Sequence, residues 1–537
     1  MDAKQKWLRQ LITLLLMLGL TVVVLSGCGT NRAVEKNAGG SGEVAVYTIA
    51  DSTGDWGFPS PYTHYNRGPG YVRMSFLFDT LVWKNDREYL PGLAEKWQYL
   101  TQENAYLFNL QKNVTWHDGE KFTSGDVLFT YNYVKAHPYQ WADVGMIKKI
   151  EALDDYTVKM YLNKPYAPFL DTVVGSMPIL PGHIWKNVQN PMQFQKEEAL
   201  IGTGPYKLLD YNKEQGTYLY EAYDNYYLGK PRVKQLKFIK ISNEMVGNAL
   251  KQKQADAAQV PPELASQMEK EGFNILKGSH DSVVKIQINH RKEPLSNKEF
   301  RQALAYAVNR QELLDTTLRG YGLVGNPGLV PPDNSWYNPQ VEQYSYNPVK
   351  TGEILAKLGY VKKGMYFAKD GKPLELELLI SGAGSANTPG VRQGEMIKEQ
   401  LEKAGIKVNL RSLDPKTLDS MVGEWKFDLA LISHGGMGGE PKVLNTMITD
   451  KSFNSARYLK SEELNSLLQQ QLEKINQQER RKLINRIQEI YAQEMPSLPL
   501  YYPSSYWVYD NQVKLFYTKQ GIGIGVPIPA NKMSFVK

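Results

Sequence analysis

A mixed α/β fold, divided into two or three compact units, is predicted by three observations. The chain has 537 residues, well past the length at which a single hydrophobic core stops growing. Short β-branched and aromatic runs of period two alternate with amphipathic stretches of helical period, the mark of strands packed with helices. Hydrophobic residues make up 42% and charged residues 22%, which argues against wholesale disorder and against a polytopic membrane protein.

The N-terminus reads as an address. Lys4, Lys6 and Arg9 form a basic start, and Leu11 to Leu25 is apolar. That run is shorter than the roughly 20 residues a bilayer span takes and fits a secretory signal. It ends in Leu25-Ser26-Gly27-Cys28, where the only cysteine follows two small residues. This resembles a bacterial lipobox. Residues 1–27 are then expected to be a lipoprotein signal peptide, and Cys28 to carry acyl chains whose buried CH₂ groups add ~0.8 kcal/mol each. Residues 28–43, rich in Gly, Asn and charge, read as a flexible tether with a reach of roughly 20 Å. A single cysteine excludes a disulfide framework and a cysteine-rich metal cluster. The net charge of +7, with no dense Lys/Arg run, excludes a nucleic-acid footprint.

In the body, Val44 to Ile49 alternates like a first strand, and Tyr106 to Leu110 and Thr157 to Leu162 read as further strands. Gln235 to Ile241 sets Leu236, Phe238 and Ile241 against Lys237 and Lys240. From about residue 280 a second region begins with the strand Val283 to Ile288. Ser296 to Glu299 then has capping-box spacing, with Ser296 as the N-cap, ahead of a helix whose buried face holds Phe300, Leu304, Ala307 and Val308. Leu374 to Ile380, Val408 to Leu410 and Leu429 to Ser433 read as strands, and Glu395 to Lys403 as a helix stopped by Gly405. Helices are expected over Ser461 to Ile475 and Gln477 to Tyr491, the second capped by Asn476 and Glu479. Met495 to Tyr502, broken by proline, is expected to cross back to the first region.

No catalytic motif emerges. Gly229-Lys230 and Gly371-Lys372 are followed by proline rather than Ser or Thr, so neither is a P-loop. Gly521 to Gly525 lacks dinucleotide spacing and reads as a loop. His117-Asp118 reads as a turn rather than an acid–base pair, because neighbouring residues point apart. No catalytic residue, cofactor or protein-built metal site is expected.

Several blocks resemble one family, the extracellular solute-binding proteins of peptide- and nickel-type ABC importers (family 5). They are Asn113 to Tyr131 (NVTWHDGEKFTSGDVLFTY), Ile201 to Asp210 (IGTGPYKLLD), Tyr223 to Pro231 (YDNYYLGKP), Phe300 to Tyr321 (FRQALAYAVNRQELLDTTLRGY) and Tyr346 to Tyr360. The resemblance implies a two-lobe, hinged periplasmic-binding-protein fold of the type II, peptide-binding class. Lobe I would hold 44–279 and 495–537, with an extra subdomain at 71–189. Lobe II would hold 280–494, with crossings near Gly278 and Met495.

The resemblance also implies a ligand cleft. In peptide-binding relatives the loop after the strand at 429–433 carries an aspartate that pairs with the peptide α-amine. Here that loop reads Gly435-Gly436-Met437-Gly438, with no acid until Glu440. His434 opens the loop and is the residue that would meet a metal chelate, as nickel-type relatives use a histidine in this region. Trp56, Tyr62 and Tyr65 follow the first strand in an Asp/Gly/Pro-rich segment and are candidate stacking residues. Arg457, a candidate carboxylate partner, and Tyr458 complete the expected ligand-binding set of Trp56, Tyr65, His434, Gly435, Gly436, Met437, Arg457 and Tyr458.

The function this implies is that of a monomeric, lipid-anchored substrate-binding protein. It would take oligopeptides between closing lobes and deliver them to an ABC permease, altering nothing. The alternatives are the same role for nickel, a metal chelate or another non-peptide solute, a sensor or chaperone built on the same fold, or a tethered secreted hydrolase.

Overall fold

The computed structural model describes residues 42–85, 88–382, 390–437, 439–515 and 531–536. The signal segment, Cys28, nearly all of the tether, Gly438 and the run Gly521 to Gly525 lie outside the described residues. Among the described residues no helix is long and apolar enough to cross a membrane.

Two large sheets carry the architecture. The first has seven strands in the order Asn274–Lys277, Tyr506–Tyr509, Ala257–Val260, Val44–Asp51, Val233–Lys240, Thr217–Ala222 and Tyr206–Asn212. Val44–Asp51 lies parallel to both of its neighbours. Its alternation sends Tyr47 and Ile49 into one core and Ala50 into another on the opposite face. Val233–Lys240 buries Leu236 and Phe238 and exposes Lys237 and Lys240, as its period predicts, while Ile241 lies just past the strand end.

The segment 71–189 holds an antiparallel four-stranded sheet, Ala94–Leu100, Ala105–Leu110, Thr157–Leu162 and Ile147–Asp154. Its helix Ser124–Ala136 is opened by a capping box of Thr123 and Asp126. This segment shares one core with the first sheet. Phe76 is the joint, with its ring 5.7–6.0 Å from those of Tyr206, Tyr220, Phe238 and Phe535.

The second sheet has six strands in the order Gly322–Val324, Ser497–Pro503, Val283–Ile288, Leu429–His434, Glu375–Ser381 and Lys407–Leu413. Val283–Ile288 is buried on both faces, Lys285 and Gln287 included, and their side chains are satisfied by Asn454 O and Ser455 O. Val284, Ile286 and Ile288 enter the core beneath helices Lys298–Ala307 and Val391–Lys403. Val283 enters the opposite core, with helices Glu462–Glu473 and Gln477–Glu494. Asn476 caps the last of these, its side chain accepting from Gln478 N and Glu479 N.

Two expectations are corrected. The helix Lys298–Ala307 is capped by Asn297, whose Oδ1 accepts from Phe300 N at 3.1 Å, not by Ser296. Ser296 is already committed to a turn, with its N–H donating to Lys292 O at 2.8 Å. Met495 to Tyr502 is not a crossing either. Ser497–Pro503 is an interior strand of the second sheet, buried along its whole length. Its prolines are tolerated because the ladder shifts register between Val284 and Lys285, opposite Pro499. The second sheet therefore runs to Pro503 rather than ending at 494, and the chain crosses at Ser504-Ser505.

Candidate functional site: the cleft between the two sheets

Two adjacent segments join the sheets. Gly278 N donates to Ser505 O at 2.9 Å, so the outgoing and returning crossings lie side by side. Buried His280 clasps them, with Nδ1 2.8 Å from Asp333 Oδ2 and Nε2 3.0 Å from Ser504 Oγ. Burial pushes the Asp333 carboxyl up, but the hydrogen bond and charge of His280 together with backbone N–H donors outweigh it and hold the group below its ordinary value. Away from the hinge the lobes meet again. Ala167 N donates to Leu472 O at 2.7 Å, and Lys164 pairs with Glu473 at 2.5 Å. The space between is thus bounded at both ends.

The first-lobe candidates sit on the loop after Val44–Asp51. Its side chains are tied down by their own lobe. Asp51 Oδ2 accepts from Trp56 Nε1 at 2.7 Å and from Arg73 at 2.8 Å. Asp55 accepts from Tyr65 and Tyr211, both at 2.6 Å. Burial raises the Asp55 carboxyl, and these phenols bring it below its usual range. Trp56 is half-buried and Tyr65 exposed, whereas Tyr62 is buried and donates to His137 O at 2.7 Å. The loop looks toward the second lobe, because Arg67 at its end acts electrostatically on Asp419 of helix Pro415–Gly423.

In the second lobe the candidate loop is the glycine loop after Leu429–His434. Gly435 is exposed, and a Cβ built there meets nothing within 4 Å. Gly436 has φ +85°, a left-handed conformation that favours glycine. The loop is held from behind, where Met437 N donates to Asp281 O at 2.8 Å and Met437 O accepts from Asn334 Nδ2 at 3.0 Å. The Met437 side chain is buried in the core of Leu444, Met447 and Tyr458.

His434 is half-buried, with Nδ1 2.5 Å from Gly435 O. Burial, and then the Lys285 ammonium, hold its pKa down to about 4, so the ring is neutral at pH 7. Lys285 lies on the same sheet face, since Val283 pairs with His434 and Lys285 with Ile432. It is fully buried, donates to Asn454 O at 2.7 Å, and burial pushes its ammonium down to about 7.

Two further sequence candidates hold the lobe together rather than forming its cleft surface. Arg457 donates to Gly423 O at 2.7 Å and Val422 O at 2.6 Å, capping the far end of helix Pro415–Gly423. Its guanidinium also stacks 4.2 Å over Trp425. Tyr458 is buried, with its hydroxyl 2.5 Å from Glu494 Oε2. Both were singled out because they follow the loop in sequence, but the chain turns inward between them and it. His117-Asp118 is a turn, as read. His117 Nε2 lies 2.9 Å from Gly204 O. Among the described residues no group of three His, Cys, Asp or Glu is placed to hold a metal ion.

Sequence reading missed the hinge clasp of His280, Asp333 and Ser504, and the placement of Asp281 against the glycine loop. The polar run Gly278 to Ser282 between two strands was the available signal.

Similarity to known proteins accords with this geometry. The chain is 29% identical over 350 residues to the dipeptide-binding protein of Escherichia coli, covering 60% of this chain and 63% of that one, so the match spans just under two thirds of that relative. It is 28% identical over 532 residues to the oligopeptide-binding protein AppA of Bacillus subtilis, covering 92% and 94%. The structure of that AppA with a nonapeptide superposes with a TM-score of 0.69 at 22% identity, covering 91% of this chain and all of that one. NikA of Brucella suis, in complex with Fe(III)-EDTA, superposes with a TM-score of 0.77 at 20% identity, over 90% and 99%. These structures show the two-lobe fold. The family model of bacterial extracellular solute-binding proteins, family 5, matches residues 88–456, more than half of the chain, and the protein belongs to that family.

Proposed function

We propose that this protein captures peptides by closing its lobes around them and passes them unaltered to the membrane permease of an ABC importer. The observation that carries this reading is the glycine loop. Exposed, side-chain-free backbone at Gly435, beside half-buried Gly436 at φ +85°, offers main-chain hydrogen-bonding groups to a solute, and pairing of main chains tolerates many side chains. The relatives described as dipeptide- and oligopeptide-binding proteins support it. Trp56, Tyr65, His434, Gly435 and Gly436 are the proposed contact residues, with Met437, Arg457 and Tyr458 as their support. Transport requires only that ligand favour the closed state, by about 5.5 kcal/mol for a shift from 1:99 to 99:1.

A second reading, capture of a metal chelate, is favoured by one feature. The neutral His434 ring has Nδ1 against Gly435 O, so Nε2 is the nitrogen offered to a metal already held by an organic chelator. The N-terminal signal, lipid on Cys28, and attachment of a monomer by a short tether to the outer membrane face complete the proposal on sequence grounds.

A thermal-shift panel tests it. Ligand at a hundred times its Kd stabilises by about 2.7 kcal/mol. Peptide pools are expected to raise the melting temperature and nickel–histidine is not. The opposite outcome selects the chelate reading. X-ray scattering at saturation is expected to show a smaller radius of gyration, and an unchanged radius would remove the closure mechanism.

A further inference from the structure

We propose that the Arg291 and Arg457 guanidiniums, gathered on the indole of Trp425, form a binding site for a phosphate-type oxyanion at the end of the second sheet away from the glycine loop. The register of the sheet fixes that location. Val283 pairs with His434, which opens the glycine loop, whereas Ile288 at the other end of the strand pairs with Leu429, about 17 Å away by the rise per residue. Asn289 to Arg291 continue past that far end. The segment Asn454 to Ala456 runs beside the same strand. Its carbonyls accept from Lys285 Nζ at 2.7 Å and Gln287 Nε2 at 2.5 Å, and the last lies 3.0 Å from His290 Nε2, so Arg457 arrives at the same place. Trp425 follows helix Pro415–Gly423. The Arg291 guanidinium carbon lies 3.7 Å from the centre of its ring, and that of Arg457 4.2 Å.

These cations stand without counter-charge. Arg291 is exposed, and among the described residues its guanidinium has no hydrogen-bond or ion-pair partner. Arg457 commits two nitrogens to Gly423 O and Val422 O, and its Nε is buried with no partner among the described residues. Lys460 adds a third positive charge, donating to His290 O at 2.7 Å, and no carboxylate among the described residues pairs with it. The neighbouring acids are already taken, Glu424 by Lys426 at 2.6 Å, Asp428 by Lys292, and Glu494 by Lys298 and Arg301. Burial, and then repulsion from Arg291, hold the Arg457 guanidinium below its ordinary value. Burial, with the charges of Arg301, Lys460 and Arg291, likewise holds His290 down to about 4. An oxyanion relieves this crowding of like charge, and a planar guanidinium can meet two of its oxygens at once. A guanidinium held over an indole keeps its N–H edge free for that contact. The site lies at the opposite end of the sheet from the glycine loop, so its anion is not the captured solute.

The test is titration calorimetry on the full chain in a nonionic detergent at low salt. Two probes are used, inorganic phosphate and glycerophosphoglycerol, the deacylated head group of an anionic lipid. The native protein is expected to bind at least one of them, and Arg291→Ala to bind it at least tenfold more weakly, the scale of one hydrogen bond to a charged group. Arg291→Lys keeps the charge but not the flat fork and is expected to fall between the two. Added sodium chloride is expected to weaken native binding. All three proteins are expected to melt as single cooperative transitions, because the Arg291 side chain is exposed. Tighter binding of inorganic phosphate assigns the site to a free oxyanion, and tighter binding of the diester assigns it to a lipid head group. Binding of neither probe by the native protein, or equal affinity in Arg291→Ala, overturns the inference.

Discussion

The two walls of the cleft are built on opposite principles. The first-lobe loop offers side chains whose polar tips are already occupied, Trp56 by Asp51 and Tyr65 by Asp55. Such groups are pre-positioned and contribute apolar area at little entropic cost. The second-lobe wall offers almost no side chains. Gly435 exposes backbone, Gly436 is half-buried, His434 is neutral, and among the described residues Asp281 has no cationic side chain paired to it. One wall is rigid and satisfied, whereas the other keeps its hydrogen-bonding and charge demands open for a ligand. On the proposed function, selectivity for chemistry falls to the second lobe and tolerance of shape to the first.

The strongest way to break the contrast is to undermine the support of the glycine wall. Arg480 and Glu440 form a buried ion pair behind the loop, and Arg480 also donates to Gln471 Oε1 at 2.7 Å. Arg480→Ala leaves an uncompensated buried acid and is expected to cost about 3–5 kcal/mol of stability, read from urea unfolding. Gly435→Trp acts on binding alone. Open space at that position accepts the ring without a clash within the protein, but the ring occupies the ligand's place. Titration calorimetry is expected to show at least a hundredfold loss of affinity, about 2.7 kcal/mol, with the melting temperature nearly unchanged.

The neutrality of His434 is tested by pH. Its folded pKa of about 4 lies below the ordinary 6.5, so below pH 6.5 the unfolded chain binds the extra proton. Stability from this group is complete above pH 6.5, is lost as pH falls toward 4, and changes no further below that. His434→Gln is expected to flatten the unfolding free energy between pH 6.5 and 4 by up to one proton, about 1.4 kcal/mol per pH unit. His64, His117 and His290 are also lowered to about 4 by burial and leave a remaining slope. The smallest effect is expected on the satisfied wall. Tyr65→Phe removes an exposed hydrogen bond to Asp55 and should change stability by roughly 0.5 kcal/mol or less, with affinity changed less than threefold. A large loss of affinity would show that the first wall also carries specific chemistry.

Much of the fold was legible because it rests on local periodicity. Thr157–Leu162 and Val283–Ile288 have the ends that alternation and β-branching indicate. Asn476 caps its helix as its spacing implies. Legibility failed where a local pattern competed with context. Ser296 has cap-like chemistry but is held in a turn, and the proline-broken segment at 495–502 became an interior strand because a register shift accommodates Pro499. For the proposed site, Trp56, Tyr65 and the glycine loop were singled out from composition and resemblance. Arg457 and Tyr458 were misplaced because nearness in sequence says nothing about which way a loop turns.

By itself the sequence determined the alternation of strands and helices, the family blocks and the glycine loop without its acid, since each is written in residue order over a few positions. Only the tertiary structure decided that Asp281, more than 150 positions away from Met437 in the chain, stands against that loop, and that His280 clasps the two crossings. Those placements come from long-range strand pairing between Val283–Ile288, Leu429–His434 and Ser497–Pro503. No local period encodes them, because their free energy is gained only when distant segments meet.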